Sequence, residues 1–321
     1  MRRDIRFLAV SAAGFVAACS GPAGDPRTVQ PETTEGSVTT DDGVRLHYRV
    51  AGEGSDVLVA PMDVYLGKAL APLAGGRRLI TYDPRSRGRS QAAPLSSVSL
   101  DRQILDLEQL RAGLNIEKMA LLGWSGLGME MAVYAMRHPD RVSRLVQVAA
   151  VPPSRGLMAG AGGDRRDERT DRKAVAELER RFQAGEFDAD PAGFCRRYQT
   201  LTLPANFADP ARAAAVPDVC EQENEWPRNL WPYFGVLLGS FGDYDWRPQL
   251  AGLQIPRLVI HGREDGIPLA GARAWAGGYP NARLLILSPA GHFPFLEQPD
   301  AFFPAVERFL SGEWPEGAET E

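Results

Sequence analysis

The chain has 321 residues, of which 44% are hydrophobic and 24% charged, with a net charge of -5. That length suits one large domain, or a domain carrying an insertion, with a sizeable core to bury. The acidic balance excludes recognition of nucleic acid through clustered positive charge, so no nucleic-acid partner is expected.

The N-terminus reads as a targeting signal. Arg2, Arg3 and Arg6 form a basic start, and Phe7 through Ala18 is apolar but too short to span a bilayer. Residues 1–18 are therefore expected to be a signal peptide. Its end, Val16-Ala17-Ala18-Cys19, resembles a bacterial lipoprotein cleavage box. The resemblance implies cleavage before Cys19, lipidation of its thiol, and a protein exported to the bacterial cell envelope and held at a membrane by a lipid anchor. An ordinary signal peptide with an incidental cysteine is the alternative. Residues 19–36 are rich in Gly, Pro, Thr and Glu and poor in large apolar side chains, so they read as a flexible tether.

Beyond the tether, strand and helix patterns alternate. Val44 to Val50 alternates at period two after the turn signal Asp42-Gly43; Val57 to Ala60 and Arg78 to Tyr82 read as strands. Asp101 to Leu114 is an amphipathic helix, followed by a buried strand at Met119 to Leu122, a helix from Met129, and a strand at Leu145 to Ala149. This order predicts an α/β fold: a mostly parallel twisted sheet with helices on both faces. Between residues 153 and 248 the alternation gives way to a largely helical stretch. It resumes with strands at Arg257 to Ile260 and Ala282 to Leu287, then a closing helix from Pro299 to Leu310. The expected organisation is core over 37–152, a helical insertion over 153–248, core again over 249–312, and a disordered acidic tail over 313–321.

Gly123-Trp124-Ser125-Gly126-Leu127-Gly128 lies where the Met119 strand turns into a helix. A serine at such a corner is lifted clear of the sheet, with helix N–H groups aimed at whatever binds its oxygen. It needs a base. Of four histidines, His47 sits within an alternating strand, His138 precedes Pro139 at a helix end, and His261 closes a buried strand. His292 falls in the tight loop Pro289 to Pro294 directly after a core strand, where catalytic groups gather. Asp265 and Glu264 both follow the Arg257 strand. Asp265 is assigned the orienting role, and Glu264 a capping or solvated one.

The order Ser125, Asp265, His292, the loop Gly262 to Asp265, the run Gly291 to Pro299, and Asp83-Pro84-Arg85-Ser86-Arg87-Gly88-Arg89-Ser90 together resemble the alpha/beta-hydrolase family from about residue 38 to 311. The resemblance implies a serine hydrolase with residues 153–248 as its lid. The backbone N–H of Gly126, following the nucleophile, is the expected first oxyanion donor. Pro61 has no N–H, so the second donor falls to Met62, Asp63 or Val64, with Val64 assigned. Leu127 and Ser86 stand where the family often has glycine.

Trp124, Trp226 and Trp231 are assigned to substrate binding, although a packed lid core explains lid aromatics equally well. Glu221, Glu223 and Glu225 read as a solvated acidic face; the alternative is a seat for a substrate amine, as in proline iminopeptidase-like members. With Cys19 acylated, Cys195 and Cys220 remain, and outside the cytoplasm such a pair is expected to form a disulfide. No histidine pair has ligand spacing and no C-x-x-C occurs, so neither metal nor cofactor is expected. The expected function is hydrolysis of a carboxylic ester or small acyl substrate, with a small molecule or short peptide as partner. The runner-up is a proline iminopeptidase-like aminopeptidase. A non-catalytic binding module is the alternative of another class.

Overall fold

A computed structural model describes residues 33–159, 168–222, 224–225, 229–279 and 281–321. The predicted signal peptide, Cys19, Glu223 and Trp226 lie outside these residues.

The described strands form one eight-stranded sheet in the order β1-β2-β4-β3-β5-β6-β7-β8. They are β1 (Thr33–Thr39), β2 (Arg45–Ala51), β3 (Val57–Pro61), β4 (Arg78–Tyr82), β5 (Met119–Trp124), β6 (Val142–Val148), β7 (Arg257–Gly262) and β8 (Ala282–Leu287). Strand β2 runs antiparallel to both β1 and β4, and every other pairing is parallel. The central strands β3, β5 and β7 are apolar on both faces because helices cover both. On one side pack α2 (Leu100–Gly113), α3 (Gly126–Arg137) and the helix Leu269–Ala276, with Leu107, Met129 and Trp275 at the centre. The other side is closed by α1 (Asp63–Leu66) and the helix Pro299–Leu310, through Leu66, Phe302 and Phe309.

Two sequence expectations need correction. The tether ends earlier than residue 36, because β1 begins at Thr33 and pairs with β2 from Thr33 opposite Ala51. Its side chains are mostly exposed and polar, so it carries no apolar periodicity; the backbone ladder alone defines it. The tail after Gly312 is packed rather than disordered. Glu319 exchanges two backbone hydrogen bonds with Leu284 (2.8 and 2.9 Å) and so covers the outer edge of β8. Ala318 is buried, and the Arg283 guanidinium lies 4.8 Å from the Trp314 ring centroid.

The insertion leaves and re-enters the core at one stem, where Ser154 pairs with Asp245 and the Trp246 amide donates to the Pro153 carbonyl (2.9 Å). It contains the helices Arg172–Gln183, Pro191–Thr202 and Leu230–Ser240. Cys195 and Cys220 are joined as a disulfide within it.

Truncation after Gly312 should lower the unfolding free energy by about 1–3 kcal/mol. Thermal unfolding of the truncated domain measures this. An unchanged Tm would mean that the tail contributes nothing.

Candidate active site

Ser125 occupies the corner between β5 and α3 with φ 59° and ψ -129°, a backbone conformation disfavoured for a residue with a side chain. Two glycines allow the corner to close. A Cβ on Gly123 would lie 2.5 Å from the Leu127 carbonyl oxygen, and one on Gly128 would lie 2.8 Å from the Ala150 Cβ. The tight approach therefore falls at positions 123 and 128, which leaves Leu127 free to carry a side chain into the cavity beside Ser125.

The structure brings three sequence-predicted residues together. His292 Nε2 lies 3.0 Å from Ser125 Oγ, and His292 Nδ1 lies 3.0 and 3.1 Å from the two Asp265 carboxylate oxygens. Because a carboxylate only accepts, Nδ1 carries the proton and Nε2 is left to accept from the serine hydroxyl. Burial pushes the Asp265 carboxyl up, but the charge and hydrogen bond of His292 outweigh it and hold the group below its ordinary value. The Ile267 amide also donates to Asp265 (2.9 Å).

The neighbouring candidates serve this arrangement as supports. His261 donates from Nε2 to the Ile267 carbonyl (3.0 Å), and its burial lowers the imidazole pKa, so it braces the Asp265 loop in neutral form. Glu264 neither caps a helix nor faces only solvent: its carboxylate accepts from the Ala290 amide (2.8 Å) and the Ser288 hydroxyl (3.1 Å), pinning the start of the His292 loop. Trp124 donates from Nε1 to the His292 carbonyl (2.7 Å), with its ring 5.0 Å from the imidazole. The His292 amide in turn donates to the Asn206 carbonyl of the insertion (2.7 Å), and Glu297 accepts from both Gly291 (2.6 Å) and Ala208 (2.7 Å).

Val64 is corrected as an oxyanion donor. Its N–H is taken by the Asp83 carboxylate (3.0 Å), because α1 starts directly after Met62 and turns the amide of Val64 away. Met62 instead sits in the left-handed region (φ 69°, ψ 58°), lines the cavity with Ser125 and Gly126, and donates its N–H to no described group. Met62 and Gly126 each line the cavity beside Ser125 with a backbone N–H that no described group accepts. The Asp63 carboxylate points away from them, held by Arg89 (2.6 Å) and Arg49 (2.9 Å). His47 and Asp83 approach Asp63 closely enough to suggest a metal cluster. These guanidinium groups already neutralise it, while both Asp83 oxygens accept backbone amides.

The cavity above Ser125 has a volume of about 320 Å³. Its walls are chiefly apolar, with Leu203, Val216, Leu237 and Phe241 contributed by or beside the insertion. Of the assigned substrate residues, Trp124 lines it. Trp231 does not: it packs edge-on against Phe182 and Phe194 inside the insertion, at 5.7 and 5.6 Å between ring centroids. Tyr233 and Phe234 face the cavity from the same helix. The solvated acidic face also needs revision. Glu225 is fully buried and accepts from Arg87 Nε (3.0 Å) and Nη2 (2.9 Å) and from the Gly88 amide (2.8 Å). Glu221 is exposed and pairs with Arg196.

Sequence reasoning named Met62 only as one of three donor candidates and Arg87 only within a loop motif, and it passed over Glu130; all three line the cavity. Glu130 is 3% exposed; burial pushes its carboxyl up and the Arg87 charge draws it partly back, leaving it at about 8. The available signal was an acid inside the apolar helical run Met129 to Met136, on the helix that begins at the serine.

The profile of the alpha/beta hydrolase fold matches residues 54–299, and the chain belongs to that family. It is 25% identical over 287 residues to the AB hydrolase superfamily protein YclE of Bacillus subtilis (strain 168), covering 84% of this chain and 96% of that one. It is 30% identical over 279 residues to the pimeloyl-[acyl-carrier protein] methyl ester esterase of Edwardsiella ictaluri (strain 93-146), covering 83% and 98%. Among solved structures, a hydrolase from Pseudomonas aeruginosa PA01 superimposes with a TM-score of 0.63 at 26% identity, over 87% of this chain and 98% of that one. The protein is a hydrolase.

The raised Glu130 pKa has a definite sign for stability. The native carboxyl holds its proton to higher pH than the unfolded one, so its contribution is full below the ordinary carboxyl range and is lost as pH climbs through about 8. Between pH 5 and 9 the wild type should therefore lose stability relative to Glu130→Gln, on the order of a few kcal/mol. Paired denaturation curves across that range test it; parallel pH profiles would contradict it.

Proposed function

We propose that this hydrolase cleaves a carboxylic ester or small acyl substrate through an acyl-enzyme intermediate on Ser125. The observation that carries the reading is the continuous hydrogen-bond line from Ser125 Oγ through His292 to Asp265. As Oγ attacks the substrate carbonyl carbon, His292 Nε2 takes the hydroxyl proton. The carbonyl electron pair moves onto oxygen, where the amides of Gly126 and Met62 stabilise it, each donor being worth roughly 3 kcal/mol in comparable sites. His292 then protonates the departing alkoxide as the C–O bond breaks, and a water repeats the sequence to release the acid. Asp265 keeps Nδ1 protonated and balances the charge on the imidazolium.

The apolar walls favour an acyl chain. The name of the Edwardsiella ictaluri relative, a methyl ester esterase, supports ester over amide. The iminopeptidase reading loses its main seat at Glu225, whose oxygens are already occupied by Arg87 and Gly88.

Ser125→Ala and His292→Ala should each reduce p-nitrophenyl ester hydrolysis by about 10⁴-fold or more. A fluorophosphonate should label the wild type and leave Ser125→Ala unmodified. A folded wild type that ignores both reagents would establish the binding-module alternative.

We propose in addition that the domain is exported and anchored by lipid on Cys19 through the tether that follows. The Cys195–Cys220 disulfide supports an oxidising compartment. Cells fed an alkyne fatty acid should label the wild type and not Cys19→Ala, with the variant shifting from membrane to soluble fraction; an unlabelled wild type refutes the anchor.

A further inference from the structure

Deep charges around the cavity can be matched off until one remains. Arg87 and Glu225 form a closed pair, and the guanidinium rests over Tyr233 and Phe234, 5.3 and 5.2 Å from their ring centroids. The Tyr233 hydroxyl accepts from Gln103 Nε2. Glu130 is left over: it lines the same cavity, is almost wholly shielded from solvent, and makes no hydrogen bond to any described group. Burying a carboxyl without a partner is costly, so its retention in an apolar wall calls for a group absent from the protein itself.

We infer that Glu130 is the seat for an ammonium group carried by the substrate, and so sets the hydrolase's preference for amine-bearing esters. This rests on the serine-hydrolase reading for its chemistry, but the seat itself is a matter of binding. Charge decides between ligands. With Arg87 neutralised by Glu225, the local sum is zero when Glu130 is protonated and negative when it is ionised, so a cation improves the balance and an anion worsens it. A charge-assisted pair is also about twice as strong as a neutral hydrogen bond.

Spacing sets the length. Glu130 lies five residues beyond Ser125 along α3, about 7.5 Å along the helix axis. The ammonium group therefore stands a short extended chain away from the scissile carbonyl, rather than next to it. On binding, the protonated carboxyl releases its proton to solvent and the resulting carboxylate pairs with the ammonium. Burial already holds the group near the pH where that proton is easily given up.

The test uses esters matched in chain length: methyl heptanoate, methyl 6-aminohexanoate, methyl 6-hydroxyhexanoate and monomethyl adipate, with hexyl acetate and 5-aminopentyl acetate carrying the amine on the alcohol side. Wild type should favour the amine over its alkyl counterpart by about tenfold or more in kcat/KM in at least one arm, mostly through KM. Glu130→Gln should bring that ratio close to one, and Glu130→Asp should restore part of it. Fluorophosphonate labelling of each variant certifies a folded site. Equal turnover of amine and hydroxyl esters, a preference for the adipate, or an amine preference that survives Glu130→Gln overturns the inference. Calorimetric binding of hexylamine to Ser125→Ala, lost in Ser125→Ala/Glu130→Gln, reads the seat without catalysis. If no ester turns over but hexylamine binds in this pattern, the hydrolase reading fails and the seat stands; absent hexylamine binding sinks the seat.

Discussion

The close approach of α3 to the end of β5 is the constraint on which the site depends. It needs glycine at 123 and 128, since side chains there would collide with the backbone of residue 127 and with Ala150. Only with that approach does Ser125 take its positive φ and stand at the head of a helix whose first amide is unused. The strain is of the order of 1–3 kcal/mol and is held by the sheet: the Ser125 amide donates to Val148, and the Val151 amide donates back to the Ser125 carbonyl. The corner thus ties two neighbouring parallel strands together at the point where chemistry is needed.

Around that corner the protein pairs buried arginines with buried carboxylates and leaves Glu130 unpaired. Arg85 is fully buried and grips Asp106 on α2 through Nε (2.6 Å) and Nη2 (2.8 Å). Arg89 and Arg49 neutralise Asp63, and Arg87 neutralises Glu225. One loop, residues 83–90, therefore reaches the helix layer, the start of α1 and the insertion with successive arginines. Bidentate guanidinium pairs have the geometry for this, which an ammonium lacks. Ser86 fits the loop at φ 59° because its hydroxyl accepts from the Ala93 amide (2.9 Å), a local bond that offsets the missing glycine.

What could be read from the sequence follows the strength of the local signal. Apolar strands flanked by turn residues, and the closing helix at Pro299–Leu310, announce themselves because burial dictates their composition. So does the corner at Ser125 with its partners after β7 and β8, since loops at the carboxyl ends of parallel strands hold few chemically able residues. β1 was hidden because an exposed edge strand is defined by a ladder, not by side-chain pattern. The C-terminal segment was hidden because its docking depends on Leu284, far away in sequence. The choice between Met62 and Val64 is not legible in the sequence, because a donor's direction is set by backbone angles, which residue type does not reveal. Glu130 was overlooked because its meaning lies in the absence of a partner, visible only once every neighbour has a position.

The bonds between the His292 loop and the insertion bear on how interchangeable the two parts are. The His292 amide rests on the Asn206 carbonyl, Glu297 bridges Gly291 to Ala208, and Phe207 stacks on Phe293 at 4.7 Å. Residues 206–208 consequently behave as part of the core in spite of their place in the chain. A chimera that grafts a foreign cover onto this sheet must bring an equivalent carbonyl and amide, or the imidazole loses its footing. Diversification of the pocket is thereby channelled into the remaining stretch, above all Leu230–Ser240, where new side chains alter what enters without disturbing what reacts.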